Sequence, residues 1–152
     1  MMTREELMRR CLELAKEAAS EGEVPVGALV ARGGEIIAEG KNSREGDKNA
    51  LAHAETAAIY RACRTLGGWR LPGCELYVTL EPCPMCAGAI LNARIEHVVF
   101  GAYDAKNGAF GSVTDLSSLP GCFHTEVEGG LLAEECSAVL SDFFTRLRRP
   151  VS

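Results

Sequence analysis

The sequence predicts a three-layer α/β domain on three observations. Helical and strand periodicities alternate along the chain, turn residues punctuate the boundaries, and the apolar content suffices for a sizeable core. Hydrophobic residues make up 47% of 152 positions, which suits a single domain. The chain shows no internal repeat, low-complexity segment or linker.

Thr3 and Glu6 stand three apart, as in a capping box, and Leu7, Cys11, Leu14, Ala15 and Ala18 then recur at helical spacing. A first helix therefore runs to about Ser20. Residues 27–31 and 35–39 predict two strands, and Gly33-Gly34 between them marks a hairpin turn. The polar, turn-prone run 42–49 predicts a loop. A second helix is expected over 53–66, a strand over 75–79 and a third helix over 84–92. Val98, Val99 and Phe100 mark another strand, followed over 101–120 by a long loop-rich stretch of the kind that carries functional contacts. A short strand at 125–128 precedes a last helix over 131–148, with Leu132, Cys136, Val139, Leu140 and Phe143 on one stripe.

Charged residues make up 24% of the chain, an ordinary share for a soluble protein. No apolar run approaches the roughly 20 residues a membrane span needs, so no membrane partner is expected. Arg4, Glu5 and Glu6 stand where a secretory signal would place its apolar segment, which predicts a cytoplasmic protein. Seven cysteines is an odd count without paired framework spacing, so in a reducing compartment Cys83 and Cys86 read as metal ligands rather than a disulfide. Cys11, Cys63, Cys74, Cys122 and Cys136 are expected to be small buried apolar residues.

The chemistry lies in His53-Ala54-Glu55 and, some thirty positions later, Pro82-Cys83-Pro84-Met85-Cys86. Zinc takes nitrogen and sulfur ligands tetrahedrally, and three protein ligands leave a position for water, whereas a structural site usually closes with four. Two thiolates and a neutral imidazole bring such a unit to about zero formal charge, so the metal acidifies its water less than a three-histidine site would. A nearby base is needed, and Glu55 is suited to that role. Both motifs open predicted helices, whose positive ends favour thiolate and anionic oxygen. Residues two apart on a regular helix point roughly 200° apart, so His53 and Glu55 could not both face one metal from mid-helix. Alone, H-x-E arises often by chance and C-x-x-C more often marks a structural or redox site; their combination is specific. His97 and His124 lack ligand-like spacing, the first reading as structural and the second as a surface residue.

H-x-E followed by P-C-x-x-C is the pattern of the zinc-dependent cytidine and nucleobase deaminases. Within that superfamily the chain resembles the bacterial tRNA-specific adenosine deaminases. The likeness runs through Glu23-Val24-Pro25-Val26-Gly27-Ala28, Asn42, His53-Ala54-Glu55, the run from Tyr77 to Ala89, Asp104-Ala105-Lys106, Gly111-Ser112 and Phe143-Phe144. The resemblance implies a cytidine-deaminase-like α/β/α fold around a mixed sheet, with one Zn2+ per chain on His53, Cys83 and Cys86. It implies that Glu55 takes the water proton, protonates the ring nitrogen beside the attacked carbon and then protonates the leaving ammonia, giving inosine. Asn42 and Ala54 are implied to contact the nucleoside, while Asp104, Lys106, Asn107, Phe143, Phe144 and Arg148 are implied to contact a tRNA anticodon stem-loop. A homodimer is implied as well, and Ala87-Gly88-Ala89-Ile90-Leu91 is small and apolar enough to pack closely.

A net charge of −5 and a pI near 5.3 speak against a broadly basic surface. Arg146, Arg148 and Arg149, with no acid after Asp142, still make a local basic patch beside Phe143-Phe144. Arginines also suit the negative end of any helix, and the two Phe suit a core. The chain departs from its relatives at Asn49-Ala50-Leu51-Ala52, where Asp-Pro-Thr-Ala is common, and at Cys122-Phe123-His124, where an RNA-contacting Asn is missing. Three readings remain: deamination of the tRNA wobble adenosine, deamination of a free nucleobase or nucleoside of guanine or cytosine type, and a non-catalytic zinc-stabilised interaction module. Glu55 and the missing fourth protein ligand disfavour the third, and the arginine-bearing C-terminal helix favours the first over the second.

Overall fold

The computed structural model describes residues 1–148, so Arg149 lies outside the described residues. The Thr3 hydroxyl accepts the Glu6 N–H at 3.2 Å, and the Glu6 carboxylate accepts the Thr3 N–H at 3.0 Å. Two of the N–H groups that a helix start leaves free are thereby satisfied. Helix α1 (Arg4–Ser20) follows, then strands β1 (Gly27–Arg32) and β2 (Glu35–Lys41), joined through Gly33 and Gly34 at φ of 61° and 79°. Two successive positive φ angles give a turn whose twist matches the hairpin, and glycine reaches them without strain. Helix α2 (Arg44–Asp47) occupies part of the expected loop. It is followed by α3 (Ala54–Leu66), β3 (Glu75–Leu80), α4 (Pro84–Asn92), β4 (His97–Ala102), β5 (Glu126–Gly129) and α5 (Ala133–Arg148).

The five strands lie in the order β2-β1-β3-β4-β5. The β1 strand pairs antiparallel with β2 and β3, whereas β3–β4 and β4–β5 are parallel, so the sheet is mixed. Strand side chains alternate between its faces. Ala28, Val30, Leu76, Val78, Val98 and Phe100 cluster with Ala54, Ala58 and Ala62 of α3 and with Ala87 and Ile90 of α4. Leu29, Ala31, Tyr77 and Val99 cluster with Leu7, Met8, Cys11 and Leu12 of α1 and with Cys136 of α5. The outcome is the expected α/β/α sandwich.

Gly40 sets how closely α3 lies on this sheet. A Cβ at that position would stand 2.2 Å from the Ala54 carbonyl oxygen and 2.7 Å from the Ala58 nitrogen, so only glycine lets the helix start rest directly on β2. On α4, Ala87, Ile90 and Leu91 turn into the core, leaving Pro84, Gly88 and Asn92 outward. Cys11, Cys74 and Cys136 are buried as expected and Cys63 is half-buried, but Cys122 is exposed. It sits in a surface turn closed by its N–H to the Leu119 carbonyl at 3.0 Å, where no apolar layer covers the thiol. Both His97, which pairs with Glu126 at 3.4 Å, and His124 are exposed. Among the described residues no helix is long and apolar enough to cross a membrane.

Candidate active site

The two motifs open α3 and α4 beside each other, at the edge of the sheet where β2 and β3 end. His53 is the N-cap of α3 with extended backbone (φ −86°, ψ 159°), and Cys83 is the N-cap of α4 (φ −75°, ψ 173°). A cap residue lies outside the 100°-per-residue rotation of the helix, so His53 and Glu55 can converge although they are two apart. Thr56 fixes the entry turn by accepting the His53 N–H at 3.2 Å and donating its hydroxyl to the Leu51 carbonyl. Pro84 takes the first helical position of α4, where its missing N–H costs nothing and its fixed φ suits the helix.

These turns bring His53 Nδ1 to 3.8 Å from Cys83 Sγ and 3.5 Å from Cys86 Sγ. Tetrahedral zinc with ordinary Zn–S and Zn–N bonds would separate such atoms by about 3.6 Å. The three ligand atoms lie within 4.8 Å of one another, so the donor set fits one soft, tetrahedral metal ion with a fourth position left for another ligand. The Cys83 thiol is held far below the usual range, first by a hydrogen bond from Cys86 and also by one from His53. Cys86 is pushed up by the same bond and by its burial. Cysteines bind a metal ion as thiolates, so a dication bound here would release their protons.

Glu55 is only 4% exposed, and burial pushes its carboxyl up to about 7. A carboxyl poised there gives and takes a proton near neutral pH, as a general acid–base requires. It opens with His53, Cys83 and Asn42 onto a cavity of about 700 Å3 whose walls include Val24, Val26, Leu80, Leu140 and Phe144 and whose rim carries Arg44 and residues 103–107. That volume suits a base or nucleoside.

Two buried carboxylates that periodicity had not marked shape this cavity. Glu23 accepts the N–H groups of Glu45 at 3.1 Å and Gly46 at 2.8 Å, which fixes α2 and so Arg44. Glu81, 2% exposed, accepts the N–H groups of Asp104, Phe110 and Ser112, each at 3.1 Å, and the Ser112 hydroxyl. Burial raises the Glu81 carboxyl, yet these hydrogen bonds prevail and hold it below the usual carboxylate range. The legible signs of Glu81 are its place in the run that carries the family resemblance and a charge directly between an apolar strand and Pro82.

The other expected contact residues are placed unevenly. Asn42 lines the cavity, but its Oδ1 accepts the Ala54 N–H at 3.0 Å and its Nδ2 donates to the Val24 carbonyl at 3.1 Å, leaving one N–H free. Ala54 has its N–H engaged and its methyl buried, and it is not part of the cavity lining. Asp104, Lys106 and Asn107 stand on the rim, where the Asp104 Oδ1 accepts the N–H groups of Lys106 at 3.0 Å and Asn107 at 3.1 Å. Phe144 lines the cavity, whereas Phe143 faces a groove between α1 and α5 with Lys16 and Arg146. Arg148 is exposed at the end of α5 and lines neither.

Three side chains placed to hold a metal ion beside a buried carboxyl, at the end of a mixed sheet, match the arrangement of the hydrolytic deaminase class of α/β enzymes. The MafB19-like deaminase family matches residues 2–148. The chain is 50% identical over 150 residues to the tRNA-specific adenosine deaminase of Bacillus subtilis strain 168, spanning 97% of this chain and 93% of that one. A solved structure of a tRNA:A34 deaminase, described as editing A to I at the wobble position of transfer RNA, superposes with a TM-score of 0.87 at 43% identity over 90% of this chain and all of that one. The guanine deaminase of Nitrosomonas europaea superposes with a TM-score of 0.81 at 26% identity, over 95% of this chain and 86% of that one. The chain belongs to the tRNA-specific adenosine deaminase family.

Proposed function

We propose that the protein hydrolyses adenosine to inosine and ammonia at the wobble position of a tRNA anticodon, with one Zn2+ per chain held by His53, Cys83 and Cys86. The observation that carries this reading is the buried Glu55 carboxyl opening with the His–Cys–Cys cluster onto a nucleoside-sized cavity whose rim bears Arg44 and Lys106. Zinc, when bound, supplies a polarised water. Glu55 takes a proton from the attacking water and delivers it to the ring nitrogen beside the attacked carbon; it then takes the second proton from the added hydroxyl, which becomes the carbonyl of inosine, and passes it to the amino group, which leaves as ammonia. Asn42, with one N–H still free, is suited to orient the nucleoside, and Phe144 offers an aromatic edge to a splayed base. Adenine in an anticodon loop is already partly unstacked, so moving it into the cavity costs less than in a duplex.

Arg146, Arg148 and Arg149 are proposed to meet phosphates of the anticodon stem-loop, together with Lys106 and Asn107 at the rim. A cytoplasmic homodimer completes the proposal; the outward stripe Pro84, Gly88 and Asn92 of α4 is free of intramolecular cover and supports a closely packed interface. The likeness to a guanine deaminase supports a second reading, action on a free nucleobase. Incubating the zinc-loaded protein separately with bulk tRNA, adenosine and guanine distinguishes them. Inosine in tRNA with no turnover of the small substrates supports the first reading; turnover of guanine with none in tRNA supports the second.

A further inference from the structure

We propose that Glu81 is a positioning residue for the reaction, fixing through the backbone the loop wall that carries Asp104, Lys106 and Asn107 over the cavity. The proposal rests on reading that cavity as the site of tRNA deamination. Glu81 Oε1 accepts the Asp104 N–H and the Ser112 hydroxyl, while Oε2 accepts the N–H groups of Phe110 and Ser112. Both ends of the segment 104–112 thus converge on one carboxylate.

From there the order passes outward. Asp104, anchored by its own N–H, uses Oδ1 to hold the N–H groups of Lys106 and Asn107. The Gly108 N–H donates to the Asp104 carbonyl at 2.9 Å, and the Ala109 N–H donates to the Pro82 carbonyl at 2.9 Å. Gly108 must lack a side chain, because a Cβ there would stand 2.4 Å from the Glu81 carboxyl carbon. One residue therefore joins the strand end that leads into Cys83 to the wall that receives the substrate.

The chemistry of the contact demands a carboxylate. Four donors converge on two oxygens, a task for an acceptor-only group; an amide would turn its NH2 toward one set of donors. With both oxygens engaged, Glu81 has no free site at which to carry a proton during turnover. Its influence on the reaction runs through the rim side chains that it places.

The decisive variant is Glu81→Gln in the full, zinc-loaded chain. Without substrate, the amides of Asp104, Phe110 and Ser112 should exchange hydrogen about tenfold faster, with α4 unaffected, since each loses a charge-assisted bond. On an anticodon stem-loop, KM should rise about tenfold, with kcat changing less and zinc content unchanged. In a Lys106→Ala/Asn107→Ala background the same substitution should add little, because the groups through which it acts are gone. Unchanged amide exchange, an unchanged KM, or an equal loss in both backgrounds would each overturn the proposal. Should Glu81→Gln not fold, Ser112→Ala removes one donor and leaves the carboxylate; it should move exchange and KM the same way by a smaller factor, and no movement would count against the idea. A wild-type protein that forms no inosine in the stem-loop would refute the functional reading instead, and the exchange measurement would still decide whether Glu81 holds the wall.

Discussion

Replacing Gly40 by Ala adds one methyl group, yet it should damage both stability and catalysis. The added carbon would stand 2.2 Å from the Ala54 carbonyl oxygen, 2.7 Å from the Ala58 nitrogen and 3.0 Å from the Ala57 Cβ, whereas ordinary contact begins near 3.4 Å. Two of those neighbours are backbone, so no side chain can swing aside. The φ of Gly40 is not positive, and alanine's own backbone preference therefore adds no penalty. Relief requires the start of α3 to lift from β2 by about 1 Å, carrying His53 and Glu55 with it. Overpacking of this kind costs about 1–3 kcal/mol. At roughly 2–4 °C per kcal/mol for a chain of this size, Tm should fall by about 2–12 °C. A displacement of about 1 Å at reacting groups costs on the order of 100-fold in rate. Thermal melting of the zinc-loaded protein and single-turnover inosine formation measure the two effects. A variant that melts within about 1 °C of wild type and turns over at full rate would refute the reasoning.

Three other perturbations follow from the same geometry. Cys83→Ser or Cys86→Ser should lower both zinc content and Tm, because ligand binding is linked to folding; metal analysis showing a full complement in both variants would exclude these ligands. Gly88→Arg should leave the fold intact, since nothing lies within 4 Å of the position its Cβ would take, and should convert the proposed homodimer to monomer; light scattering that shows a dimer for the variant at micromolar concentration would remove α4 from the interface. Replacing Arg146, Arg148 and Arg149 together with Ala should weaken tRNA binding and flatten its salt dependence by up to about two log units per log salt, at roughly 0.7 per phosphate for single strands. Unchanged affinity and slope would make these arginines helix-end charges only.

The three layers were legible because the long helices bury one face, which writes a helical period, while the central strands, buried on both faces, stand out as short continuous apolar runs bounded by turn residues. The short helix α2 was not, since four residues around Arg44 give no period to detect. The grouping of His53, Cys83 and Cys86 was legible from residue type and order, whereas periodicity alone could not turn His53 and Glu55 to one side; the cap position of His53 does so. Glu23 and Glu81 stood inside the stretches that carry the resemblance, but their roles were not legible, because their partners are mainly backbone N–H groups 22 to 31 positions away and backbone donors leave no mark on side-chain pattern. Phe143 and Phe144 read as one aromatic pair. Adjacent helix residues point about 100° apart, which sends the first to the α1–α5 groove and the second to the reaction cavity.

The most direct measurement compares wild type and Glu55→Ala, both shown to hold one zinc per chain, for inosine at the wobble position of tRNA by nucleoside mass spectrometry. Wild type should form inosine there, and the variant should keep its metal while losing about 10,000-fold or more in rate, because Glu55 serves more than one proton transfer and each such role is worth roughly 100- to 10,000-fold. Near-normal inosine formation by Glu55→Ala, or none by the zinc-loaded wild type, would contradict the account.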